Sequence, residues 1–98
     1  MQGVVGNSRI TQVGTSTVLR FSLATNERFS YRDGSVHEET TWHSVTAWSG
    51  KGMPDFSKID KGTCVHATGR LREIRYNDSD GNSKSFYEVL ATEVRIIN

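Results

Sequence analysis

Large apolar residues alternate with polar ones over much of the chain, a period of two that argues for strands with one covered face and one wet face. Over residues 18–25, Leu19, Phe21 and Leu23 alternate with Arg20 and Ser22. Over residues 41–48 the alternation separates Trp42, Ser44, Thr46 and Trp48 from His43, Val45 and Ala47. The two largest rings therefore share a face with hydroxyls, while the small apolar residues lie on the other side. Leu19, Phe21 and Leu23 already supply bulky core groups, so Val45 and Ala47 read as core wall and the indoles as exposed, roughly 20 Å apart at about 3.3 Å per residue. The competing reading buries both tryptophans, because Trp is usually mostly buried.

Glycine and proline punctuate this pattern. Residues 2–6 open a first strand, and Val13-Gly14-Thr15-Ser16 reads as a turn into the second. Arg32-Asp33-Gly34-Ser35 lies between residues 26–31 and 36–48, and Ser79-Asp80-Gly81-Asn82 between residues 63–76 and 85–97. Asp-Gly suits turns that need a positive φ, so both predict hairpins with long arms. Between the third and fourth strands, Pro54 suits a first helical position and Gly62 a C-terminal cap. Phe56 and Ile59 would pin one or two helical turns against the body. The resulting order, β-β-β-α-β-β, is that of an all-β, five-stranded OB-fold barrel with long hairpins and one short helix between strands 3 and 4. At 98 residues, the chain is expected to form one domain, 1–98, around one modest core.

Composition narrows the partners only slightly. A hydrophobic fraction of 35% suits a barrel with wet outer faces. The net charge of +1 sets up no global positive field, so the distribution of charge carries the information. The single cysteine, Cys64, excludes an internal disulfide and fits a reducing compartment. No apolar run approaches ~20 residues and no basic-then-apolar segment opens the chain, so a cytoplasmic protein with no membrane partner is expected.

The chemistry concentrates in aromatics interleaved with cations. Arg28 and Arg32 flank Phe29 and Tyr31 before the first Asp-Gly turn; Arg70, Arg72 and Arg75 lead to Tyr76 before the second, and Lys84 follows it. Alternation puts Arg70, Arg72, Ile74 and Tyr76 on one face. Any one of these arginines could be plain solvated surface. Their recurrence beside aromatics in two hairpins points to a groove that follows a phosphate backbone and stacks bases. The Asn77–Asn82 turn fails as a calcium loop, since Tyr76 and Tyr87 fall at its first and last ligand positions. Cys64 and His66 share a strand face, but no third member or oxyanion donor accompanies them. No enzyme, metal or cofactor is expected.

The segments Phe21-Ser22-Leu23-Ala24-Thr25-Asn26-Glu27-Arg28-Phe29, Thr41-Trp42-His43-Ser44-Val45, Lys61-Gly62 and Gly69-Arg70-Leu71-Arg72 resemble, in order and near spacing, the bacterial-type single-stranded DNA-binding protein family. The likeness runs from about Val4 to Val94. It implies a homotetramer of barrels with single-stranded DNA wrapped over their outer surfaces, in replication, recombination or repair. It puts base stacking on Phe29, Trp42, Trp48 and Tyr76, and His43 near the subunit interface. Phosphate contacts are then expected from Arg28, Arg32, Lys51, Arg70, Arg72, Arg75 and Lys84, with Arg72→Ala lowering the salt slope by about one unit. Three departures stand out. Residues 7–12 lack the family's Gly- and Pro-containing loop, and the helix should be shorter. The acidic, Phe-ending tail is absent, so recruitment of repair and replication partners through it is not implied. Two rival readings are a barrel that docks on protein and binds DNA weakly or not at all, and an RNA chaperone using the same stacking platform.

Overall fold

In the computed structural model, which describes residues 1–97, each run of alternating residues becomes one long strand. These are β1 (Gln2–Val13), β2 (Ser16–Ser30), β3 (Val36–Trp48), β4 (Cys64–Asn77) and β5 (Ser83–Ile96). They close a barrel in the order β1-β2-β3-β5-β4, the five-stranded architecture expected. Leu19, Phe21 and Leu23 of β2 point inward and meet Val45 and Ala47 of β3, Val65 and Ala67 of β4, and Val89, Ala91 and Val94 of β5. Burying a side chain of this size contributes about 1.5–3 kcal/mol.

Two irregularities let long strands bend around this small core. In β1 the register slips between Val5 and Ser8. In β5, Thr92 is an extra residue between the pairs Thr68↔Glu93 and Gly69↔Ala91. That bulge turns both Val94 and Ala91 inward, where strict alternation would bring Glu93 in beside Ala91.

The helix expected between β3 and β4 shrinks to one 3₁₀ turn, Phe56–Lys58. Asp55, not Pro54, begins it: the Asp55 carboxylate accepts from the Ser57 N–H at 3.0 Å and the Ser57 hydroxyl at 2.8 Å. The buried apolar anchors of this segment, Phe56 and Ile59, are three apart, the repeat of a 3₁₀ helix. Both are buried in the core, and Gly62 sits in the following turn, its N–H donating to the Val5 carbonyl at 2.8 Å.

Both Asp-Gly turns form, with φ of +87° at Gly34 and +82° at Gly81. The β2–β3 ladder runs from Val18↔Trp48 out to Ser30↔Val36, well past the last core residue, Leu23. Its outer part, and that of β4–β5 beyond Arg72↔Glu88, are two-stranded arms with mostly exposed residues. Among the described residues no helix is long and apolar enough to cross a membrane.

Candidate nucleic-acid interface

Cross-strand register sorts the exposed residues into two faces. On the outer face, Trp42 lies opposite Ala24, Ser44 opposite Ser22, Thr46 opposite Arg20, and Trp48 opposite Val18. The indoles of Trp42 and Trp48 are 61% and 42% exposed, while Val45 and Ala47 are in the core. The alternation of residues 41–48 thus separates wet rings from buried small residues. Trp42 leans across toward β1: a Cβ at Gly6 would stand 2.4 Å from its Cζ3 and 2.8 Å from the Ser22 hydroxyl oxygen. Only glycine leaves room for the ring there. The Ser22 hydroxyl is fixed in turn, accepting from the Asn7 N–H at 3.0 Å and donating to the Asn7 side-chain oxygen at 2.8 Å.

Thr46 breaks the pattern, being buried although it shares the face of the tryptophans. Its hydroxyl donates to Glu88 at 3.0 Å, and Glu88 is gripped by Arg72 through Nε at 2.7 Å and a terminal guanidinium nitrogen at 2.5 Å. A groove of about 420 Å³ follows, lined by Arg9, Arg20, Ser22, Ser44, Phe86 and Glu88 among others. Phe86 is exposed at its rim and meets Tyr76 edge-on, ring centroids 6.0 Å apart. Tyr76 is therefore joined to the tryptophan face through an aromatic that the sequence reading passed over. Phe86 sits opposite Ile74, within the row that already held Tyr76, so a committed register for the second hairpin would have found it.

Phe29 is not brought to this face. It pairs with His37, and alternation places it in the row of Thr25 and Leu23, away from Trp42. Tyr31 stacks edge-on against His37 at 4.9 Å, near the Asp33 turn. There the Ser35 hydroxyl and N–H hold the Asp33 carboxyl below its ordinary 3.8.

The expected phosphate contacts divide by partner. Arg32, Lys51 and Arg70 are exposed, with no ion pair among the described residues. Arg28 bonds Glu38 at 2.9 Å in the open, and Lys84 is 3.5 Å from Asp78. The exposed Arg28–Glu38 pair and the long Lys84–Asp78 contact, whose lysine is exposed, hold weakly and release their cation easily. Arg75 pairs with Glu73 on the face opposite Tyr76. Arg72 differs, being committed to a nearly buried carboxylate.

The reverse face carries apolar surface. His43 is half-buried, 2.9 Å from the Thr25 hydroxyl, between grooves that share Leu71 and Val89. Leu71 is 67% exposed, and Tyr87 is exposed beside it. The Tyr87 hydroxyl donates to Glu73 at 3.0 Å; that bond, and then the Glu73 charge, push its pKa up.

Comparisons with known proteins bear on the fold and the family. Single-stranded DNA-binding protein of Xanthomonas axonopodis pv. citri is 33% identical over 98 residues, covering 97% of this chain and 54% of that protein. Its counterpart in Neisseria meningitidis serogroup A is 30% identical over 80 residues, covering 82% of this chain and 46% of that protein. The chain thus spans about half the length of these curated relatives. Among solved structures, the Plasmodium falciparum SSB complex with ssDNA superposes with a TM-score of 0.81 at 23% identity, covering 100% of this chain and 91% of that one. The family model described as "Single-strand binding protein family" matches residues 3–97, so this chain belongs to that family.

Proposed function

We propose that this chain binds and protects single-stranded DNA without sequence preference, as one binding domain of an oligomer, in replication, recombination or repair. The observation that carries the reading is the outer face itself: two solvent-facing indoles, extended by Phe86 and Tyr76, with Arg20 between the indoles and Arg70 in the row of Tyr76. Every base has a π-face, so such a surface takes any sequence, each stacked base contributing about 1–3 kcal/mol. Trp42, Trp48 and Tyr76 are the central stacking residues. Phe29 takes bases on the far side of its arm, which the strand has to reach by passing around the hairpin. Phosphate contacts come first from the unpaired Arg32, Lys51 and Arg70. Arg28, Arg75 and Lys84 join by exchanging a carboxylate for a phosphate, while Arg72 chiefly neutralises Glu88.

The reverse face around His43, Leu71 and Tyr87 serves self-association, which removes exposed apolar surface; its groove reaches Trp42 at one edge and leaves Trp48 open. The chain acts as a binding protein in the cytoplasm and not as an enzyme; the outer groove aligns aromatics and cations, and its one hydroxyl–carboxylate pair, Thr46 with Glu88, is buried and bound by Arg72.

Tryptophan fluorescence during titration with oligo(dT), at low and high salt, tests this. The expected result is strong quenching that saturates at a fixed number of nucleotides per subunit and weakens as salt rises. Trp42→Ala should weaken binding with little change in salt dependence. Absence of binding at low salt would overturn the proposal.

A further inference from the structure

We propose that Arg9 and Arg20 form a phosphate-binding subsite on the floor of the groove between Trp42 and Trp48. The two arginines are directly opposite one another on β1 and β2. Such pairs hold their Cβ atoms about 4.5–5.5 Å apart, and like charges so placed destabilise a sheet. Both side chains are exposed, and among the described residues neither has an ion-pair partner. The one carboxylate lining their groove, Glu88, is already bound by Arg72 and Thr46. Two adjacent, uncompensated guanidinium groups in a groove of hydroxyls and an aromatic rim are complementary to a polyanion that carries rings.

Position strengthens the case. Arg20 pairs with Thr46, so the arginine row crosses the face between the two indoles. A strand stacked on both rings covers roughly 20 Å at about 3.3 Å per residue of β3. At the duplex spacing of about 3.4 Å per phosphate, about six phosphates lie between the two rings, fewer if the strand is stretched, and the one or two nearest Thr46 pass over the arginine row. The subsite rests on the single-stranded DNA reading and adds to it residues that β1 supplies from its regularly paired run, Ser8 to Val13, which leads into the Gly14 turn.

The test is oligo(dT) titration of the double variant Arg9→Gln/Arg20→Gln, followed by tryptophan fluorescence from 0.05 to 0.5 M salt. These concentrations are about those over which polyelectrolyte release is read. Quenching amplitude should be retained. The slope of log K against log salt should become shallower by about 1.4, at about 0.7 per phosphate contact on a single strand, with binding roughly 25-fold weaker at about 0.1 M salt. Each single variant should give about half the slope change, and Arg9→Lys/Arg20→Lys should keep the parent slope. Melting temperature should stay level or rise, because a repulsive pair is removed. A double variant with the parent's slope and affinity overturns the subsite while leaving the function standing. A parent that binds no oligo(dT) at low salt brings down both.

Discussion

Arg72→Ala separates two roles that a surface arginine can play. On sequence grounds, losing this cation should cost one phosphate contact. In the structure its guanidinium neutralises Glu88, whose side chain is only 9% exposed. Removing one partner of a buried ion pair destabilises by about 3–5 kcal/mol, because the other charge is left desolvated. Arg72 is itself 35% exposed and the Thr46 hydroxyl still donates to Glu88, which brings the expected loss to about 2–3 kcal/mol. For a domain of this size that is a drop in melting temperature of about 10–20 °C. Thermal unfolding followed by circular dichroism reads it directly, at one protein concentration, since the proposed self-association would make Tm concentration-dependent. Arg72→Ala/Glu88→Gln should recover most of the loss, as the amide oxygen still accepts from Thr46 and carries no charge. A loss below about 0.5 kcal/mol in the single variant, within the range of ordinary surface substitutions, would refute the argument, as would a double variant no better than the single. The salt slope supplies a second check: it should change by well under one unit, and a full unit would mean that Arg72 leaves Glu88 for phosphate.

Gly6→Ala should push the Trp42 ring off the sheet, since the new methyl would stand 2.4 Å from Cζ3; oligo(dT) affinity should fall about tenfold, with a shifted emission maximum. Asp55 is held below its ordinary 3.8 chiefly by the Ser57 hydroxyl and next by the Ser57 N–H, so its contribution is present above that pH and lost as pH falls through the depressed value. The difference in Tm between the parent and Asp55→Ala should therefore shrink on acidification below about pH 4. Leu71→Glu puts a charge into the apolar reverse face and should lower the particle mass in light scattering while leaving tryptophan quenching per subunit intact.

What the sequence made legible was whatever depends on one strand at a time. Leu19, Phe21 and Leu23 identify the core face of β2 without reference to any neighbour, and Val45 with Ala47 settle which side of β3 is wet. Features that depend on two strands were hidden. The bulge at Thr92 has no local marker, because β-bulges answer to barrel curvature. Arg9 and Arg20 look like ordinary polar positions until register sets them side by side. Thr46 reads as a wet hydroxyl until Glu88 arrives from β5 to cover it. Phe29 and Trp42 look equivalent as aromatics near a turn, yet parity along the ladder sends them to opposite faces. Pro54 and Gly62 suggest both ends of a helix, but the residues between them offer anchors at a spacing of three and no second turn's worth of apolar contact.

The barrel's closure has a kinetic consequence. β1–β2, β2–β3 and β4–β5 are local hairpin pairings, a kind that forms in about 1–10 μs. The two seams joining the three-stranded meander to the last hairpin are short: Gln2 to Val4 against Cys64 to His66, and Val45 to Ala47 against Val89 to Ala91. Each links residues far apart in sequence, so the entropy of closing the loop is spent before the seam's few hydrogen bonds return anything. Closing the two seams is then the expected slow step of folding, driven by the apolar inner faces more than by the seams' hydrogen bonds. Substitutions at Val45 or Val89 should slow that step, whereas changes in the arms should chiefly alter how fast the hairpins fray.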